Sequence, residues 1–252
     1  MSLKYRVKKE RIMFTTLFST TIIATSVIAA PKPPPPIHSA DSQDRQEEKK
    51  AEVAEVGEKA PAFALIDQYS KKHSLKDYKE KIIVLEWFNE QCPVCEGVWE
   101  SGLIRKLVAD LGELDTEVVY LAVNSTANRP EDDVLKTGAE YIEESKINIP
   151  MLMDYDGKVG KTYGAKTTPH MYVINQEGVL VYQGALSDDR RGKEGKDAET
   201  HVMRAVKQVI AGDDVKPNYV QPWGCSVKYK RDNEGKDSER RRPRGPRRGP
   251  GR

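Results

Sequence analysis

Residues 86–100, EWFNEQCPVCEGVWE, set Cys92 and Cys95 three positions apart where strand-like residues give way to helix-like ones. Upstream, KIIVLEWF (81–88) is a near-continuous apolar run bounded by charge, the pattern of a central strand buried on both faces. Downstream of Pro93, the residues Val94, Val98, Leu103, Ile104, Leu107 and Leu111 recur at helical spacing, and Gly112 is a natural stop. The spacing therefore predicts one helix from Pro93 to Leu111.

Such a cysteine pair is a metal clip, a structural staple or a dithiol that passes electrons. One C-x-x-C supplies two sulfur ligands where zinc takes four, and Cys225 is far away in sequence. Haem attachment requires His after the second cysteine, and Glu96 stands there. No metal and no cofactor is expected. Positive support goes to electron transfer. Cys92 falls at a helix N-terminus, where unpaired N–H groups and the helix dipole stabilise a thiolate. Pro93 suits the first helical turn, where its missing N–H costs nothing. A disulfide closes at this spacing without disturbing the helix. An exposed, low-pKa Cys92 backed by a sheltered Cys95 makes a nucleophile and a resolver.

Working outward, GEKAPAFALIDQYSKKHSLKDYKEK (57–81) alternates Phe63, Leu65 and Ile66 with smaller residues before a turn to Leu75 and Tyr78. EVVYLAVN (117–124) is a second buried strand, Glu131–Ser145 a helix, Pro150–Met153 a short strand and Val159–Tyr163 a helical turn. HMYVIN (170–175) and VLVYQG (179–184) flank Gly178 as a hairpin, and His201–Ile210 is an amphipathic helix. The order β-α-β-α-β, hairpin, α predicts an α/β fold with a largely parallel sheet covered by helices on both faces. One folded domain is expected over residues 56–225.

Both ends read differently. Lys4, Arg6, Lys8, Lys9 and Arg11 precede an uncharged stretch, Met13–Ile28, and Val27-Ile28-Ala29 is a small-residue cleavage pattern. Residues 1–29 thus read as an export signal cut after Ala29, placing the chain in the periplasm or another extracytoplasmic space. An uncleaved membrane anchor is the alternative, against which the short, Ser- and Thr-rich stretch argues. Residues 30–55 begin with PKPPPPIHSA and continue with charge, as a spacer or a plain disordered leader. The net charge of +2 hides a basic tail: Lys228–Arg252 holds eleven Lys or Arg against four Asp or Glu. Residues 226–252 are expected to be disordered. Their arginines attract polyanions in a salt-dependent way; after export this means an anionic envelope component and not nucleic acid, unless the tail is simply solvated.

The strand-W-F-x-x-x-C-P-V-C-helix pattern resembles the thioredoxin superfamily. GEKAPAFALIDQ, SLKDY and the KIIVLEWF strand resemble its redoxin branch, the alkyl hydroperoxide reductase/thiol-specific antioxidant family with its exported thioredoxin-like oxidoreductases. The resemblance covers roughly residues 56–212 and implies a thioredoxin-like fold with a central mixed sheet. It also implies that Thr168-Pro169 is a cis bond holding the Thr168 backbone beside Cys92, where it pairs with a substrate chain; the residues alone give an ordinary trans proline. Glu86 stands where thioredoxins bury an acid that deprotonates the resolving cysteine, which would need a raised pKa. Facing solvent or pairing with Lys81 is the equal alternative. Trp87 is core or a wall of the substrate site. Cys225, in a GCSVKY segment shared by some redoxins, is a third redox thiol or a buried free cysteine. His170 is structural, or a metal ligand as in copper-delivery relatives.

Two enzymatic functions are open to such a site. Peroxiredoxins need a hydroxyl residue three before the peroxidatic cysteine, and this chain has Asn89; most also lack a partner at the position of Cys95. Both departures favour a thiol–disulfide oxidoreductase acting on protein thiols and disulfides, served by an upstream electron donor or acceptor protein. A peroxidase working through Cys92 is the alternative, and a non-enzymatic metal-delivery or envelope-binding protein a further one.

Overall fold

The computed structural model describes residues 53–190 and 194–230. The signal expected at 1–29, most of the linker and the tail from residue 231 lie outside the described residues. Among the described residues, no helix is long and apolar enough to cross a membrane.

A hairpin of β1 (Ala64–Asp67) and β2 (Lys72–Ser74) leads through a 3-10 turn, Leu75–Tyr78, into β3 (Ile82–Trp87). Then come α1 (Pro93–Glu100), α2 (Leu103–Gly112), β4 (Val118–Asn124), α3 (Glu131–Ser145), β5 (Met151–Met153) and α4 (Lys158–Tyr163). The chain continues with β6 (Thr167–Thr168), β7 (His170–Ile174), β8 (Leu180–Gly184), α5 (His201–Ala211), β9 (Tyr219–Val220) and β10 (Cys225–Ser226). The main sheet has the order β2-β1-β5-β4-β3-β7-β8-β9, and β10 pairs separately with β6. Parallel pairing joins β3, β4 and β5. However, β7 runs antiparallel to β3 and β1 antiparallel to β5, and each is also antiparallel to its hairpin partner, β8 and β2. The sheet is mixed, not largely parallel.

Strand alternation in β3 builds two cores. Ile82, Val84 and Phe88 face α1, α2, α3 and α5, packing with Trp99, Ile104, Ile142 and Val206. Ile83, Leu85 and Trp87 face the other way, toward Phe63, Tyr163 and Tyr172. Helices cover both faces, though unequally: the second face receives α4, the 3-10 turn and the leading segment. Each fully buried aliphatic contributes ~1.5–3 kcal/mol, so β3 anchors both layers and holds the loop at its C-terminal end in place.

The helix expected from Pro93 to Leu111 is two helices. Gly102 takes a left-handed φ of 83°, its N–H closes on the Trp99 carbonyl, and α2 restarts from its own carbonyl through Lys106 N–H. Both halves bury their apolar side in the same core, so the helical spacing runs across the break. The packed chain also passes both expected domain limits. Ala54 is buried and bonded to the Thr162 carbonyl. At the other end Val227 N–H bonds to the Lys166 carbonyl at 3.1 Å and Tyr229 Oη to the Ala165 carbonyl at 2.8 Å.

Candidate active site

The C-terminal end of β3 hands the chain to a loop, Phe88–Gln91, that is tied down on several sides. The Asn89 amide oxygen accepts Gln91 N–H at 2.9 Å, and its carbonyl accepts Cys92 N–H at 3.0 Å. Buried Glu90 pairs with Arg129 and accepts from the Thr137 hydroxyl (2.6 Å) and the Asn124 amide (3.1 Å). This loop sets Cys92 as the N-cap of α1 with Pro93 in the first turn.

Cys92, Cys95 and Cys225 are set here as thiols, with no disulfide between them. The Cys95 S–H bonded to Cys92 draws its pKa well below the ordinary thiol range; burial opposes this, and the Cys225 and Thr168 side chains add to it. Cys95 goes the other way. Burial pushes its thiol well up, its bond to Cys92 and the charge of Glu86 push further, and the Asn89 N–H opposes them. The two thiols therefore differ as a nucleophile and a resolver must. The exposure expected of Cys92 is absent: only 2% of it is accessible. Cys225, on β10, hydrogen-bonds to it.

Glu86 points inward beneath α1, because alternation puts it on the face of Ile82 and Val84. Wholly inaccessible, it accepts Trp99 Nε1–H at 3.0 Å and the Tyr120 hydroxyl at 2.7 Å. Burial raises its pKa to about 7, with the two hydrogen bonds pulling the other way. Lys81, the alternative partner, pairs with Glu117.

Thr168-Pro169 is a cis bond, and the Thr168 carbonyl lies 3.2 Å from Cys92 Sγ. Trp87, open between core and a wall of the substrate site, is core. One residue beyond Glu86, it faces the opposite core, fully buried between Tyr163 and Tyr172, with Nε1 bonded to the Ser125 hydroxyl at 3.0 Å. His170 shares that core; burial, with the charge of Lys166, lowers its pKa to about 3. Among the described residues, no group of three or more His, Cys, Asp or Glu is placed to hold a metal.

The structure adds residues that the sequence did not single out. Trp99 and Tyr120 form the box around Glu86, and the Glu90–Arg129 pair holds the loop before Cys92. Trp99 was visible as one turn beyond Cys95 on the buried stripe of α1; Tyr120 and Arg129 left no such signal.

Residues 56–183, just over half of the chain, match the AhpC/TSA family. The thiol–disulfide oxidoreductase ResA of Bacillus thuringiensis subsp. konkukian is 28% identical over 134 residues, which is 53% of this chain and 72% of that protein. ResA of Halalkalibacterium halodurans is 28% identical over 138 residues, 54% of this chain and 73% of its own. Among solved structures, a protein of Sinorhizobium meliloti 1021 superposes with a TM-score of 0.61 at 26% identity, covering 71% of this chain and 96% of that one. A conserved protein of Geobacillus kaustophilus gives 0.61 and 26%, with 71% and 94% covered. With thioredoxin-like architecture and thiol–disulfide oxidoreductases as relatives, the chain belongs to the AhpC/TSA family, the redoxin branch of the thioredoxin superfamily.

Proposed function

We propose that the chain is a thiol–disulfide oxidoreductase that exchanges disulfides with protein clients outside the cytoplasm through Cys92 and Cys95. The observation that carries this is the graded pair: a stabilised Cys92 thiolate above a buried, reluctant Cys95 that has Glu86 nearby. In the reducing direction, Cys92 attacks a client disulfide; a Cys92–client bond forms, the client S–S bond breaks, and one client thiolate leaves. Glu86 takes the Cys95 proton, Cys95 attacks Cys92 Sγ, and the second client thiolate departs, leaving Cys92–Cys95 oxidised. Thr168 presents backbone beside the reacting sulfur, where an extended client chain can pair. The reverse sequence oxidises a dithiol client, with an upstream protein resetting the pair.

A dedicated peroxidase is the weaker reading. The Asn89 amide is spent on its own loop, and Arg129 is held by Glu90 and Asp133 rather than aimed at Cys92. Export rests on residues 1–29, and attraction to an anionic envelope component on the basic tail; both lie mainly outside the described residues. The purified full chain is expected to catalyse reduction of insulin disulfides by dithiothreitol. Failure to do so, with rapid turnover of hydroperoxide, would sink the exchange reading in favour of the peroxidase.

A further inference from the structure

Cys92 is inaccessible although its chemistry requires a partner sulfur, and its cover is the chain's own C-terminal segment. Cys225 and Ser226 pair antiparallel with Thr168 and Thr167, on the backbone edge beside the reacting thiol. Gly224, at φ 132°, lies so close to the Thr168–Pro169 peptide that a Cβ would run into the Thr168 carbonyl. Both sides of this crossing are fastened. Trp223 Nε1–H bonds to the Ser187 carbonyl at 2.9 Å, Ala127 N–H bonds to the Lys228 carbonyl at 2.7 Å, and the Tyr229 ring packs on Gly157 and Gly160. Cys225 Sγ meets Cys92 and also receives the Val94 N–H at the start of α1. An extended strand, paired with the cis-proline edge and presenting a sulfur to Cys92, is the form a client polypeptide would have to take.

We propose that Trp223–Tyr229 is a built-in client: it occupies the client-strand site, and Cys225 takes the client cysteine's place in a reversible Cys92–Cys225 disulfide. This rests on the exchange function proposed above. From the oxidised Cys92–Cys95 form, the Cys225 thiolate attacks Cys92 Sγ; the Cys92–Cys95 bond breaks, the Cys92–Cys225 bond forms, and Cys95 leaves as a thiolate that takes up a proton. No net electrons enter or leave, so no further oxidant is required. An external client must displace the segment, and its access is governed by local opening of the strap.

The test uses the full chain carrying Cys95→Ser, treated with oxidised glutathione, alkylated and digested without reduction. Cys92 first takes glutathione, Cys225 then attacks it, and two glutathione thiols are released per chain. Mass spectrometry is expected to find Cys92 joined to Cys225 within one chain. Cys92 still carrying glutathione while Cys225 is freely alkylated would overturn the proposal. A second variant, Gly224→Val, keeps all three cysteines and lifts the strap; alkylation of reduced Cys92 by a bulky maleimide is expected to quicken roughly ten-fold, and an unchanged rate would refute the covering role. Insulin reduction by the unsubstituted chain is measured alongside. Its absence speaks against the exchange function, whereas the disulfide map and alkylation rate speak to the strap alone.

Discussion

Two carboxylates are buried in the same sheet and are treated in opposite ways. Asp67, at the β1–β2 edge, is pushed up by burial, yet His73 and the N–H groups of Lys71 and Tyr69 more than offset this, holding its pKa below the ordinary value. His73 in turn meets the Tyr78 hydroxyl, so the acid closes a polar knot that fixes a hairpin turn. Glu86, beneath α1, has a tryptophan N–H and a tyrosine hydroxyl but no cation, and burial wins. Environment, rather than residue type, holds one acid as a structural anion and lets the other exchange a proton near neutrality, as the role proposed for Glu86 needs.

The largest expected effect lies at the structural acid. Asp67→Ala strands three buried or half-buried donors and should cost roughly 4 kcal/mol, read as a lower urea midpoint, with insulin turnover per folded molecule unchanged. A loss of turnover without a loss of stability would break the contrast. Next comes pH. Folded Glu86 keeps its proton to about 7 against 4.5 when unfolded, so between these values the folded state binds more protons. Its contribution is complete below the unfolded pKa and is lost as pH rises through the folded one, by about 3 kcal/mol. Asp67, lowered, works in the opposite sense: its contribution is present above the unfolded value and disappears on acidification. Urea midpoints of the natural chain and Glu86→Gln should diverge through that window; parallel curves would remove Glu86 as the titrating group.

A smaller effect is kinetic. Glu86→Gln should slow insulin reduction on the order of ten-fold near neutrality, with alkylation of Cys92 little changed, because only deprotonation of Cys95 loses its acceptor. Slowing of both steps alike would point to a packing defect instead. The smallest is Trp99→Phe. Losing one donor worth about 1 kcal/mol should raise the Glu86 midpoint by under one pH unit, read from the pH–rate profile.

The legible parts of the molecule were those with a local pattern. A doubly apolar strand followed by C-P-V-C gives the junction, the helix start and the thiol pair within fifteen residues. Glu86 was half-legible: a lone carboxylate in an apolar run must either be buried or escape, and only the neighbours Trp99 and Tyr120 decide which. Trp87 stayed open between core and site wall because neighbours in a strand face opposite cores, so proximity to Cys92 in sequence says nothing about proximity in space. The strap was half-legible: the GCSVKY segment marked Cys225, but Trp223–Tyr229 has no period to follow and its pairing partners lie more than fifty residues upstream. Gly102 was hidden by an apolar stripe that continues through it.

Tyr229 ties the far end of that strap to a place that has no part in redox chemistry. Its ring fills the space that a side chain at Gly157 or Gly160 would need, and its hydroxyl reaches Ala165. The bareness of two glycines at the start of α4 is therefore a condition for seating the C-terminal segment seventy residues later. Enlarging either glycine should act as a remote latch release. Even without the ring, Gly157, at φ 71°, resists a side chain, and a Cβ at Gly160 also meets the Ser125 hydroxyl. Side-chain size at these three positions would then be inherited as a set, although none of them touches a sulfur atom.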